Sequence, residues 1–136
     1  MIIKAKSDVK KVLSIMELVK NREESILLLD FEKFSTIVSE FYYEIIKELS
    51  SALILLEGFK SVGENSHKDL IDFLLRYKGI SEKEISLIHD LRIRRNKSSY
   101  EGVKIDAFFL NVHKSSLLEI IKKLKSLINL KLKKRW

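Results

Sequence analysis

FSTIVSEFYYEIIKELSSALILLEG, residues 34–58, is the stretch that decides the fold. Phe34, Ile37, Val38, Phe41, Ile45, Leu49, Ala52, Leu53 and Leu56 recur at spacings of three and four. Those spacings put them on one side of a helix with 3.6 residues per turn. So long a stripe can be buried only against other helices, so the segment reads as a bundle helix. Asp30 is placed to cap its start and Gly58 to end it.

Working outward, Ser7 is an N-cap for Val9, Val12, Leu13, Met16 and Val19, a first helix to about Asn21. Glu23–Asp30 reads either as its extension or as a turn. Gly58–Ser66 reads as a loop, and Ser66 caps a third helix over His67–Tyr77 with Leu70, Phe73 and Leu74 inward. Lys78 and Gly79 end it. Ser81 with Glu84 makes a capping box for a fourth helix, and Gly102 marks a turn or that helix's end. Asp106 starts a fifth, whose stripe is Leu117, Ile121, Leu124 and Ile128, widened by Ile120 and Leu127. No strand pattern, linker or repeat is evident. The expected fold is all-α, an up-and-down bundle of four or five helices forming a single domain over residues 1–136.

The 136 residues suffice for one domain with a core, and 46% hydrophobic with 33% charged residues argues against disorder. Without cysteine, neither a disulfide framework nor a thiolate zinc site can form, and a reducing cytoplasm is the plain expectation. No window of 18 uncharged apolar residues exists, so no membrane-spanning helix is expected. The start, Met-Ile-Ile-Lys-Ala-Lys, is too short and too soon charged for a signal peptide. Abundant Lys, Glu, Ile and Leu, with no proline or glutamine, lean towards a thermophilic source with an AT-rich genome.

A net charge of +7 favours anionic partners, nucleic acid first. From Lys122 to Trp136 there are seven Lys or Arg and no acid. That run reads as a solvated helix whose lysines suit the dipole. Arg92, Arg94, Arg95 and Lys97 form a second cluster. Projected from Ile85, the residues Ile85, Leu87, Ile88 and Leu91 make an apolar side. Arg92, Arg95 and Ser99 fall on or beside it, with Asn96 and Tyr100 at its edge. Polar groups on a stripe that should be buried require partners or a ligand. The residues alone leave two readings open. One is an anion site. The other is a helix that stops at Arg95 with Asn96 in a left-handed C-cap.

His67, His89 and His113 never stand at i, i+3 or i+4 to one another, so no metal site is expected. His67 and His113 read as helix-end or surface residues. His89 shares a helical edge with Arg92 and Asn96. Gly58-Phe-Lys-Ser-Val-Gly63 lacks the phosphate-loop pattern, and no serine sits in a nucleophile elbow. Phe31, Phe34, Phe41, Tyr42 and Tyr43 read as core and interface.

The segment Arg95-Asn96-Lys97-Ser98-Ser99-Tyr100 resembles the signature of HEPN domains. That signature is an arginine followed by Asn, Asp or His, then a histidine after four to six residues. Here Asn96 follows Arg95, and Tyr100 stands at the histidine position. The resemblance covers nearly the whole chain in outline. It implies a homodimer that binds RNA or a nucleotide through Arg92, Arg95, Asn96 and Ser99, without metal or cofactor. Its catalytic form implies a metal-independent endoribonuclease of toxin–antitoxin type. Arg95 would then hold the phosphate, and Tyr100 or His89 would serve protons. A tyrosine phenol ordinarily titrates near 10 and is a poor base at neutral pH, so binding survives the replacement better than cleavage. The alternative it implies is a non-catalytic partner subunit of a small nucleotidyltransferase, with Tyr100 as a modification acceptor.

Overall fold

Residues 42–56 are buried on nearly every side of their helix, including Tyr42, Tyr43, Ile45, Ile46, Leu49, Ser50, Leu53 and Ile54. An all-round apolar helix occupies the middle of a structure rather than its face. The computed structural model describes residues 1–134. It places this helix, α2 (Ser35–Leu56), against α1 (Val9–Leu28), α3 (Ser66–Phe73), α4 (Glu82–Glu101) and α5 (Ala107–Lys133). A 3₁₀ turn, Leu74–Arg76, follows α3. The fold is an all-α helical bundle. Truncating Leu49 or Ile54 to alanine removes a fully buried side chain, a change that costs about 2–5 kcal/mol.

Where the local chemistry is strong, the elements lie where the sequence puts them. The Ser81–Glu84 capping box is complete, with Glu84 N donating to Ser81 Oγ at 3.1 Å and Ser81 N to Glu84 Oε1 at 3.0 Å. Asp106 caps α5 by accepting from Phe109 N at 2.9 Å, and Leu117, Ile121, Leu124 and Ile128 are buried. Helix α4 runs unbroken through Asn96 to Glu101, and Gly102 closes it at φ +68°, the left-handed conformation glycine adopts at little cost. The reading in which the helix stops at Arg95 is therefore ruled out.

Elsewhere tertiary packing overrides the local pattern. Asp8 rather than Ser7 caps α1, accepting from Lys11 N at 3.0 Å, and the helix continues past Asn21 to Leu28. Asp30 caps a turn instead of α2, its carboxylate taking the N–H groups of Glu32 and Lys33. Ile37 leaves the expected stripe and is 42% exposed, because α2 becomes central only after its first turn. The third helix is shorter than expected, its last turn tightening to 3₁₀ geometry.

Two strands appear where none was expected. β1 (Ile2–Lys4) pairs antiparallel with β2 (Phe59–Ser61), Ile3 opposite Lys60. Three-residue strands carry too short an alternation to be read from sequence. The pair matters for position: Val62 N donates to Met1 O at 2.8 Å, Ala5 N to Gly58 O at 2.8 Å, and the Met1 ammonium meets Asp69. The segment leading into α3 is thereby tied down.

The basic C-terminal run is docked through three of its lysines, while Lys122, Lys133 and Lys134 are exposed as the solvated reading expects. Lys123, Lys125 and Lys131 pair with Glu84, Glu23 and Glu57, one from each of three other parts of the chain. The last members of that run, Arg135 and Trp136, lie outside the described residues. No helix among the described residues is long and apolar enough to cross a membrane.

Candidate nucleic-acid interface

The start of α3 meets the second half of α4 in a cleft of about 270 Å³, lined by Glu64, Asn65, Ser66, His67, Lys68, Arg92, Arg95, Asn96 and Tyr100. Three cationic side chains face it against one carboxylate, and its walls are almost wholly polar. Asn65 makes no side-chain cap, so the positive end of the α3 dipole adds to the field. Arg92, Arg95, Asn96 and Tyr100, four of the residues the sequence singled out, converge here. Ser99 is exposed and does not line the cleft.

The two arginines are held differently. Arg95 donates from Nη2 to Glu44 Oε1 at 3.1 Å and from Nη1 to Asn96 Oδ1 at 3.4 Å. Its guanidinium also lies 5.5 Å from the centre of the Tyr43 ring, within cation–π range. Glu44 is shared with Lys47, whose Nζ is 2.8 Å away. Burial pushes the Glu44 carboxyl up, but Lys47, Arg95 and Arg22 outweigh it and hold it below the usual glutamate range. Arg92 forms no ion pair among the described residues. Its Nε donates to His89 Nδ1 at 3.3 Å, and His89 Nε2 bonds Asp72 Oδ1 at 2.7 Å. Since Arg92 can only donate, Nδ1 accepts and Nε2 carries the proton. His89 thus stands outside the cleft with both ring nitrogens engaged, and its evident work is to aim Arg92.

Ser98, adjacent to the predicted set, turns inward, its hydroxyl within bonding distance of Glu40 Oε2 (3.3 Å) and Arg95 O (2.8 Å). Part of the polar content of α4 is therefore met by carboxylates on α2, Glu40 and Glu44. The Arg92 charge is not.

Sequence reasoning missed the side chains that α3 brings to the site, His67 and Lys68 among them, and Tyr43, which His67 meets. His67, half-buried, lines the cleft, and its Nδ1 sits 3.2 Å from the hydroxyl of fully buried Tyr43. Burial, then the charges of Lys47, Arg95 and Arg92, lower the His67 pKa against the opposing pull of Glu44. The fold therefore favours the neutral imidazole. Burial likewise pushes Tyr43 up to about 12, the nearby arginines opposing, so it stays a phenol. The only local signal was the polar run Glu64–Lys68 opening a short helix. Nothing local says that this run faces α4.

No group of three or more metal-binding side chains exists among the described residues. Comparison with protein-family models, with curated proteins and with solved structures finds no match for this chain.

Proposed function

We propose that the α3–α4 cleft binds the phosphodiester backbone of RNA, as a HEPN-like RNA-binding domain. The observation that carries this reading is the convergence of Arg92, Arg95, Lys68 and an uncapped helix start on one polar cleft. Arg92 brings a charge that no carboxylate among the described residues pairs with, and guanidinium groups match phosphate oxygens in pairs. Tyr100, 81% exposed at the rim, offers a ring on which a base can stack. Exposed Ile93, Val103, Phe108 and Val112 on and beside α4 and α5 support the homodimer that the resemblance implies. A mass twice that of the chain by light scattering would bear it out, and a monomer at working concentration would remove it.

The test of binding is fluorescence anisotropy with a labelled single-stranded RNA across a salt series. Three phosphate contacts give a log–log salt slope of about −2. Salt-independent or undetectable binding would overturn the reading.

A second reading has one observation in its favour. The exposure of Tyr100 leaves its hydroxyl open to modification by a partner nucleotidyltransferase. Co-purification with such a neighbour, and loss of the modified species in Tyr100→Phe, would favour it over RNA binding.

A further inference from the structure

Cleaving RNA without a metal requires a phosphate clamp and, beside it, a group that can take the proton of a 2′-hydroxyl at neutral pH. The motif of α4 supplies the clamp but places a tyrosine where the proton acceptor would stand. The structure brings an imidazole to the same cleft from another helix. We propose that His67 is the catalytic proton acceptor of a metal-independent RNA cleavage in the α3–α4 cleft, with Tyr43 as its positioning residue. The inference rests on the phosphate-binding reading above.

The geometry carries the assignment. His67 lines the cleft with Arg92, Arg95 and Asn96, all within one chain. Tyr43 Oη engages Nδ1 at 3.2 Å and leaves Nε2 for a ligand. In the active tautomer Nδ1–H donates to the tyrosine oxygen, a bond that persists when Nε2 takes up a proton. The same Tyr43 ring lies under the Arg95 guanidinium, so one buried residue registers the base against the clamp. His89 cannot substitute, because Asp72 and Arg92 occupy both its nitrogens.

The groups around His67 set its readiness. From α2 come Lys47, Glu44 and Tyr43, from α4 Arg92 and Arg95, and from its own helix and the preceding loop Lys68 and Glu64. Burial first, and then the surplus of cations over carboxylates, disfavours the protonated ring before substrate arrives. A bound phosphate then adds the negative charge that stabilises the imidazolium as it forms.

The step balances on one proton. His67 Nε2 takes the proton of the 2′-hydroxyl, O2′ bonds to phosphorus, and the bond from phosphorus to O5′ breaks. The leaving 5′-oxygen takes a proton from water, and the imidazolium returns its own to the resulting hydroxide. The products are a 2′,3′-cyclic phosphate and a 5′-hydroxyl end.

The full chain and its variants, purified in parallel, are incubated with an end-labelled single-stranded RNA in EDTA. We expect cyclic-phosphate products from the wild type. His67→Gln should lower the rate at least about 100-fold, the usual weight of a general base, with RNA affinity within about twofold of wild type. Exogenous imidazole should restore part of the rate to His67→Ala, a rescue that a merely structural histidine would not allow. Tyr43→Phe, which removes the acceptor of Nδ1–H, should shift the acid limb of the pH–rate profile to lower pH. Intact RNA affinity without cleavage by the wild type, or equal cleavage by His67→Gln, overturns this inference while leaving RNA binding in place. Absence of RNA binding overturns both.

Discussion

Two hollows flank α4, and they differ in how their charges are met. The roomier one, about 400 Å³, lies between α4 and α5 and is lined by Lys83, Glu84, Ser86, Leu87, Asp90, His113, Ser116 and Glu119. Two cations beside it are matched by carboxylates. Arg94 Nε bonds Asp90 Oδ1 at 3.0 Å and its guanidinium rests 4.3 Å from the Phe109 ring. Lys123 Nζ lies 3.0 Å from each Glu84 carboxylate oxygen. The smaller cleft, between α3 and α4, holds Arg92 with no carboxylate partner among the described residues, Arg95 with a glutamate shared with Lys47, and Lys68 with Asp72. Both hollows contain a histidine, but Glu84, Asp90 and Glu119 line the larger one against Lys83 alone, whereas Lys68, Arg92 and Arg95 line the smaller against Glu64. What separates them is the balance of charge on their walls, an excess of carboxylates beside α5 and an excess of cations beside α3.

The largest expected effect breaks that asymmetry directly. Arg92→Ala combined with Arg95→Ala should lower RNA affinity at least about 100-fold, since each charge-assisted phosphate contact contributes about 1.5–3 kcal/mol. Lys83→Ala with Lys123→Ala, which removes as much positive charge from the α4–α5 side, should leave it within about twofold. Anisotropy titrations of both pairs decide the point. Equal losses would mean that only net charge matters and that neither hollow is a site.

Stability should divide the two arginines the other way. Arg95→Ala strips a partner from Glu44 and the cation from the Tyr43 ring, a loss of about 1–2 kcal/mol. Arg92→Ala should cost only about 0.5 kcal/mol, because it loses the bond to His89 but no ion pair among the described residues. Urea denaturation measures both, and a larger cost for Arg92 would show that its charge is bound within the fold after all.

The contrast between helix ends and tertiary meetings also explains what could be read in advance. Ser81 with Glu84, Asp106 and Gly102 act on backbone groups within a few residues, so α4 and α5 were legible from sequence. So was the clustering of Arg92, Arg95, Asn96 and Tyr100, because helical periodicity alone puts them on one face. His67 was not legible, nor was its contact with Tyr43 across 24 residues of chain. Both depend on α3 lying against α4 and α2, which no local pattern encodes. The same holds for Asp72 and His89, and for Glu44 opposite Arg95. The acidic partners sit on α2 and α3, where their spacing looks like an ordinary polar edge.

A smaller effect sharpens the picture of His67. Unfolded, this residue takes up a proton near its ordinary value of 6.5; folded, burial and then Lys47, Arg95 and Arg92 resist that proton. The unfolded chain therefore binds more protons, and the fold loses stability as the pH drops through about 6.5. His67→Gln should remove that part of the loss. Urea denaturation of both proteins at pH 7.5 and 5.5 tests it. A wild type no more sensitive than the variant would place His67 in open solvent.

A modest effect on stability, with none on binding, is expected of Lys123→Ala alone. It frees Glu84 and the Gly79 carbonyl from one ammonium, a loss of about 0.5–1 kcal/mol, with RNA affinity unchanged.

The central claim is that the α3–α4 cleft, and not the α4–α5 groove, receives RNA phosphate. Titrating isotope-labelled protein with a short single-stranded RNA and following its backbone amide signals reads both hollows at once. We predict saturable shifts concentrated at residues 64–68 and 92–100, with residues 113–119 unmoved. Shifts centred on 83–90 and 113–119, or no saturable shift at 64–68, would contradict it.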